Sequence, residues 1–462
     1  MDSDQVLLHL NSCYKSQQPI DNDLIDRFNT SVTKSSLNLT QLIGIINQIL
    51  INSDLTLVDP EGILINLLEK LLSMLSFEEI LLVYPLNTIY QFLIESDNST
   101  VKQLCLNVIN LNLHEEKTQE FLYVNDILSK LIRIYFTRDT PIPVLNQIEK
   151  LTNSLTSSEF NKLITSELLS FIQSFRINED TTLMARYLDY LLIILPHIQH
   201  NPSLYQFTKS EIVQIDDDPL YLILLAQFYL KLLDQLCDIS TSLNALISLY
   251  VNDQLNELVK GEVINIISKM SYLNKYIPIL EQNQIFKTHN LIKIFEHNQS
   301  DIQLLTKVNS DIILQLNPEI YQDILSNLSL FNDQLYQPVL LNFIKSREIF
   351  NKLSDQFTNY KFSIMSRDRL YNVLLRMSQF KHTKEYLFNN LPNIITKYLI
   401  EPESIQNNQL WKLKLEILEN LLQEDDVLGY EYWFDELDQV YEVMKYGKCF
   451  KNAQVDIMDE TV

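Results

Sequence analysis

Residues 77–110 read FEEILLVYPLNTIYQFLIESDNSTVKQLCLNVIN, and the pattern of this stretch decides the fold. The spacing predicts a short helix, a break at Pro85, a second helix, a turn over 96–99 and a third helix. The third helix carries apolar residues at Val101, Leu104, Cys105, Val108 and Ile109. That is the one-sided stripe of a helix packed on others. One such unit cannot bury its apolar face alone, so the rest of the chain has to supply more of the same.

Working outward, residues 99–109 (STVKQLCLNVI) have the look of the second helix of a HEAT unit. A small or polar residue opens the helix, an apolar-basic pair follows, and small and large apolar residues alternate behind it. Residues 124–136 align with 86–94, matching Asn87 to Asn125 and Ile89 to Ile127. Residues 140–151 then play the part of 100–111, with Leu145 standing where Leu104 stood. The offset of about 40 residues is the HEAT period. Further pairs follow over 158–176 with 182–195, 210–215 with 219–236, and 243–258 with 262–280. Shorter helices follow over 291–296, 301–316, 318–330 and 335–343. Upstream, Asp59 reads as an N-cap with Pro60 in the first turn of a helix running to about Leu75.

The expected fold is all-α, a HEAT/ARM-like α-solenoid occupying 1–446. Its N-terminal half covers about 1–236 and its C-terminal half about 237–446, with a disordered acidic tail over 447–462. Residues 424–442 are rich in Asp and Glu, lack any basic residue, and interleave Tyr430, Tyr432, Trp433, Phe434 and Tyr441. This reads as a solvated face over a buried one.

Composition supports helices and excludes several functions. The 462 residues are 46% hydrophobic and 21% charged, so the chain can bury a sizeable core and is not globally disordered. Only 5 glycines occur, too few and too scattered for phosphate-cradling loops. The formal net charge of −23 argues against binding duplex DNA or an anionic membrane, and fits either a basic partner or simple solubility. The 4 cysteines form no CxxC pair, so neither a disulfide framework nor a zinc site is expected. Neither a signal peptide nor a membrane-spanning run is visible, and the expected compartment is the cytoplasm, with the nucleus open.

His197 and His200 could face each other as a metal pair, but no further ligand is near and a helix-end role competes. No catalytic signature appears, so no enzyme, cofactor or metal is expected. What remains is surface. Arg186 and Asp189 occupy non-core positions on the helix over 182–195. Asp216, Asp217 and Asp218 crowd the start of the next, where they either cap the helix or meet a basic partner. Tyr221 is then either an aromatic anchor for that partner or inter-repeat core.

The chain resembles the yeast assembly chaperone of the 26S proteasome regulatory-particle base. That family is also tied to DNA mismatch repair through an enhanced-mutability phenotype. The resemblance rests on FEEILLVY (77–84), VKQLCLNVIN (101–110), IEKLTNSLTSSE (148–159), FTKSEI (207–212) and FYLKLL (228–233). It continues with YLFNNLP (386–392), residues 420–422 and the pair Tyr432–Trp433, while 254–356 matches little. It implies a C-shaped, right-handed superhelix of about eleven repeats. Such a chaperone embraces the C-terminal domain of the first of six AAA-ATPase subunits, alongside the neighbouring ATPase and a large non-ATPase subunit. It promotes base assembly and blocks premature docking on the core particle. The alternatives are an accessory protein of DNA mismatch repair and a general HEAT-repeat adaptor.

Overall fold

Ser76 and Glu79 close the first turn of the helix Phe77–Leu81 in a reciprocal capping box. Pro85 then starts Leu86–Tyr90, and the helix continues over Gln91–Glu95 in a wide turn that ends with Ser96 N–H donating to the Gln91 carbonyl at 2.9 Å. Asn98 accepts from the amides of Thr100 and Val101 and so caps Ser99–Leu111. Of the expected stripe, Cys105, Val108 and Ile109 are buried, whereas Val101 and Leu104 stay half-buried at the rim of a cleft.

The computed structural model describes residues 3–33, 39–178, 180–198, 201–215, 218–235, 237–287, 299–320, 330–331, 333–401, 405, 407–423 and 430–447. Among these the chain is all-α, with no strand. It folds as two compact units, Met1–Tyr205 and Gln206–Val462.

Within the first unit, Ser99–Leu111 packs on Ile142–Ser154, which packs on Thr181–Ile198. Alongside, Phe77–Leu81 packs on Glu116–Val124, which packs on Ser157–Leu163. In the second unit one ladder runs Pro219–Leu232, Glu257–Met270, Gln299–Lys307, Gln337–Phe343, Arg367–Ser378 and Asn408–Leu421. Beside it lie Lys209–Ile215, Ser240–Val251 and Ile277–Gln282, and then Ser310–Leu316, Arg347–Leu353 and Lys381–Asn390. Within each of these runs, a helix packs on its counterpart in the next repeat.

Polar bonds repeat at the same interval. The Phe77 amide donates to the Glu115 carboxylate (3.1 Å), Asn110 to the Gln147 side chain (2.8 Å), and Lys130 to the Tyr90 hydroxyl (2.9 Å). In the second unit Ser268 donates to the Lys307 carbonyl (2.8 Å), Arg369 to the Phe331 carbonyl (2.9 Å), and Asn420 to Ser378 (3.2 Å). The partners stand 37 to 42 residues apart. The described helices within 254–356, where the family resemblance was weakest, continue the ladder.

Several local expectations change. Residues 301–316 are two helices, Gln299–Lys307 and Ser310–Leu316. Residues 243–258 and 262–280 give way to Ser240–Val251, Glu257–Met270 and Ile277–Gln282, while 291–296 and 321–329 lie outside the described residues. Residues 124–136 are not one helix: Glu116–Val124 ends and Ile127–Tyr135 begins around Asp126, whose φ of 49° is a left-handed turn that Asp tolerates. Residues 158–176 break at Thr165, whose hydroxyl caps Ser166–Gln173. Pro60 lies outside its helix, which starts at Ile63 after left-handed Gly62. Asp59 still caps it, accepting from the Ile63 and Leu64 amides at 2.9 and 3.0 Å. Pro196 sits inside Thr181–Ile198 instead of ending it. The expected tail, 447–462, lies outside the described residues apart from Gly447, the C-cap of Glu431–Tyr446.

Asn342 is almost wholly buried and donates to the Leu305 and Val308 carbonyls, both at 2.8 Å. Asn342→Ala leaves those carbonyls without that donor and is expected to cost about 1–3 kcal/mol. A thermal melt should show a lower apparent midpoint, and an unchanged one would show the bond contributes nothing. His382 packs beside Phe350 and Phe380, with Nε2 3.1 Å from the Ile344 carbonyl. Burial holds it below its usual 6.5, so the unfolded chain takes up the proton first and stability falls as pH drops below that value. In His382→Gln, the drop in midpoint between about pH 7.5 and about pH 5.5 is expected to shrink.

Candidate functional site

The helix Thr181–Ile198 brings Arg186 and Asp189 to one end of the first unit's ladder. Ile127–Tyr135 ends nearby, leaving carbonyls with no helical partner. Arg186 fills that need. Its Nη1 donates to the Tyr135 and Thr137 carbonyls at 3.0 and 2.6 Å, and its Nη2 to those of Arg138 and Thr140 at 2.9 and 3.4 Å. A guanidinium committed to four backbone oxygens clamps the turn between two repeats. The expectation that Arg186 waits for a partner is therefore corrected.

Asp189 is exposed, one turn further along. It borders a buried tyrosine pair, Tyr135 and Tyr190, whose ring centroids lie 5.0 Å apart. The Tyr135 hydroxyl donates to Glu149 at 2.7 Å. Burial, then the bond to Glu149, then the charges of Glu149 and Asp189 push the Tyr135 phenol well above its usual range. Glu149 and Asp189 thus place two carboxylates beside one hydrophobic junction. The sequence reading missed Glu149, whose signal was its place opposite Asp189 in the aligned repeat.

On the second unit Asp218 behaves as a cap. Its Oδ1 accepts from the Leu220 amide at 3.0 Å and the Tyr221 amide at 3.3 Å. Asp216 and Asp217 lie outside the described residues. Tyr221 is fully buried, so it is core and not an exposed anchor. Pro219–Leu232 is apolar nearly all round and packs between Lys209–Ile215 and Glu257–Met270, which turns Tyr221 inward with Leu225, Phe228 and Leu232. The exposed apolar residues here include Leu220 (57%) and Leu258 (70%), each two positions after its helix cap, Asp218 or Asn256, in adjacent repeats. Their common place after a cap was the available signal.

The histidine pair does not assemble among described residues. His197 stacks on Phe160 at 4.6 Å with Nδ1 2.9 Å from the Ser157 hydroxyl, and His200 lies outside them. A cleft of about 490 Å³ opens between Leu39–Asn52, Ile63–Leu72 and Ser99–Leu111. Its wall includes Leu68, Leu72, Phe92, Leu104 and Cys105, with the Tyr84 hydroxyl donating to Asn47 at 2.5 Å. Burial pushes both the Cys105 thiol and the Tyr84 phenol up to about 12, so both stay protonated at neutral pH. Such a wall offers packing space and no nucleophile.

Arg186→Ala removes bonds to a charged donor and is expected to cost about 1–3 kcal/mol. Asp189→Lys, at an exposed position, should stay within about 0.5 kcal/mol of the parent. Paired thermal melts separate the two. An unchanged midpoint for Arg186→Ala would show that the clamp does not hold the turn.

Two family models match the chain end to end: the N-terminal domain of DNA mismatch repair protein HSM3 over residues 4–234, and its C-terminal domain over 235–462. The chain is 44% identical to the DNA mismatch repair protein HSM3 of Candida albicans, covering 99% of this chain and 98% of that relative. It is 37% identical to the protein of the same name in Scheffersomyces stipitis, covering 99% and 97%. For Debaryomyces hansenii the identity is 30%, over 92% and 88%. With both domains matched and relatives aligned over nearly their full lengths, the chain belongs to the HSM3 family.

Proposed function

We propose that this protein is a non-enzymatic assembly chaperone of the proteasome regulatory-particle base. It holds the C-terminal domain of the first of the six AAA-ATPase subunits, with the neighbouring ATPase and a large non-ATPase subunit in the same intermediate. It orders that subunit set and sterically blocks premature docking on the core particle, using no ATP of its own. It works in the cytoplasm, with access to the nucleus.

The observation that carries this reading is the stack itself. Each unit repeats one helix pair along its length, an architecture whose product is an extended surface for gripping another protein. The partner is specified by the resemblance, whose blocks keep their order from residue 77 to residue 433. The charge of −23, and the paired carboxylates Glu149 and Asp189, suit a domain that presents Lys and Arg.

A second reading follows from the name the relatives carry, a role beside a DNA mismatch repair complex. Contact with DNA itself would need phosphate neutralisation, against which the acidic balance weighs. Affinity purification of the tagged protein decides between them. Free base precursors containing the ATPase subunit are the expected catch, and they should weaken when Asp189→Lys is introduced. Mature 26S particles without precursors would overturn the proposal. Tight, salt-sensitive gel shifts with duplex DNA would favour the repair role.

A further inference from the structure

A solenoid stays soluble when its last helix turns a polar face outward. The helix Glu431–Tyr446, the last among the described residues, departs from that rule along one strip. Its inner side is fastened in the usual way, packing on Asn408–Leu421 and Ile395–Ile400. Leu437 is fully buried, and the Tyr441 hydroxyl and Lys445 ammonium both donate to Glu419, at 2.8 and 3.2 Å. On the opposite side Tyr432 is 73% exposed, Val443 50% and Tyr446 55%. With Glu436 and Gln439 between them, these residues follow the alternating four-and-three spacing that lines up along one helix face. The strip runs the length of the helix.

Beside the strip, Asp435, Asp438 and Glu442 form a parallel acidic row at the same helical spacing. Desolvation by the surrounding chain, then the charges of Glu442 and Asp435, raise the Asp438 carboxyl above its usual range. The helix has one basic residue, Lys445, an exposed ammonium that donates to Glu419 and Tyr441. A cation brought alongside would lower the repulsion within the row.

We propose that Glu431–Tyr446 is a docking surface for a partner helix built as its complement, with an apolar seam flanked by Lys or Arg. Tyr432 at one end and Val443 with Tyr446 at the other supply the apolar contacts, parted by Glu436 and Gln439. The acidic row sets orientation and partner choice, as flanking charges do in paired helices. A second copy of this chain would set acid against acid. The surface stands independently of the chaperone reading, since it draws only on the geometry of this helix.

The test uses the full chain and two synthetic helical peptides sharing a leucine seam, one with lysine flanks and one with glutamate flanks. Fluorescence anisotropy at low salt should detect binding of the lysine peptide alone. Combining Asp435→Lys, Asp438→Lys and Glu442→Lys should weaken that binding about tenfold or more. Tyr432→Ser with Val443→Ser should weaken it as well, while Leu258→Ser, at an exposed leucine elsewhere, leaves it unchanged. Equal binding of both peptides, or indifference to the charge reversal, would overturn the proposal. So would a dimer in analytical ultracentrifugation that Tyr432→Ser abolishes, which would give the strip to a second copy. Tighter peptide binding after Phe450→Ser with Ile457→Ser would overturn it too, by giving the strip to residues 448–462.

Discussion

A helix pair of this kind has no interior until a second pair lies against it, and the structure is organised around meeting that need at a constant interval. Apolar burial supplies most of the drive but carries no register of its own. Register comes from bonds that only the right offset can make. Asn342 reaches two carbonyls at the end of the preceding repeat, and Arg369 reaches the Phe331 carbonyl in the same relation. A slip by one helical position would leave these buried groups unpaired, each at a cost of about 1–3 kcal/mol. Polar groups between repeats therefore do less to strengthen the stack than to align it.

The same constraint explains what was legible before any coordinates. The period was readable because each repeat must present equivalent apolar and polar residues to the next, and the cap at Asp59 was readable from its place before Pro60. The break at Asp126 was not, because a single left-handed residue needs no glycine and leaves the apolar pattern on either side intact. The family resemblance is thin through 254–356 for a related reason. Stacking requires the interval and the polarity, and many residue types satisfy both.

At the candidate site, Asp218 was readable as a cap from its place before Pro219, but Tyr221 was ambiguous by construction. Pro219–Leu232 is apolar on nearly every side, so helical periodicity cannot separate the face toward the next repeat from the face toward solvent. Arg186 was misjudged for a different reason. Periodicity places it off the apolar stripe, which is correct, but a long side chain can cross to carbonyls in another repeat. The carbonyls it meets belong to residues 46 to 51 positions earlier, beyond any local pattern.

Once the conspicuous residues are committed to holding repeats together, surface chemistry has to come from what the ladder leaves outside. In the first unit that is the junction of Glu149 and Asp189, where carboxylates sit on the rim of a buried aromatic pair. In the second it is Glu431–Tyr446, where exposed Tyr432, Val443 and Tyr446 lie beside an acidic row. Both combine an apolar patch with fixed negative charge, and desolvating such a pair strengthens its pull on a cation. An overall charge of −23 then acts at two ranges. Its long-range field is screened by salt within about 8–10 Å, whereas carboxylates beside apolar surface keep a local field that salt screens less.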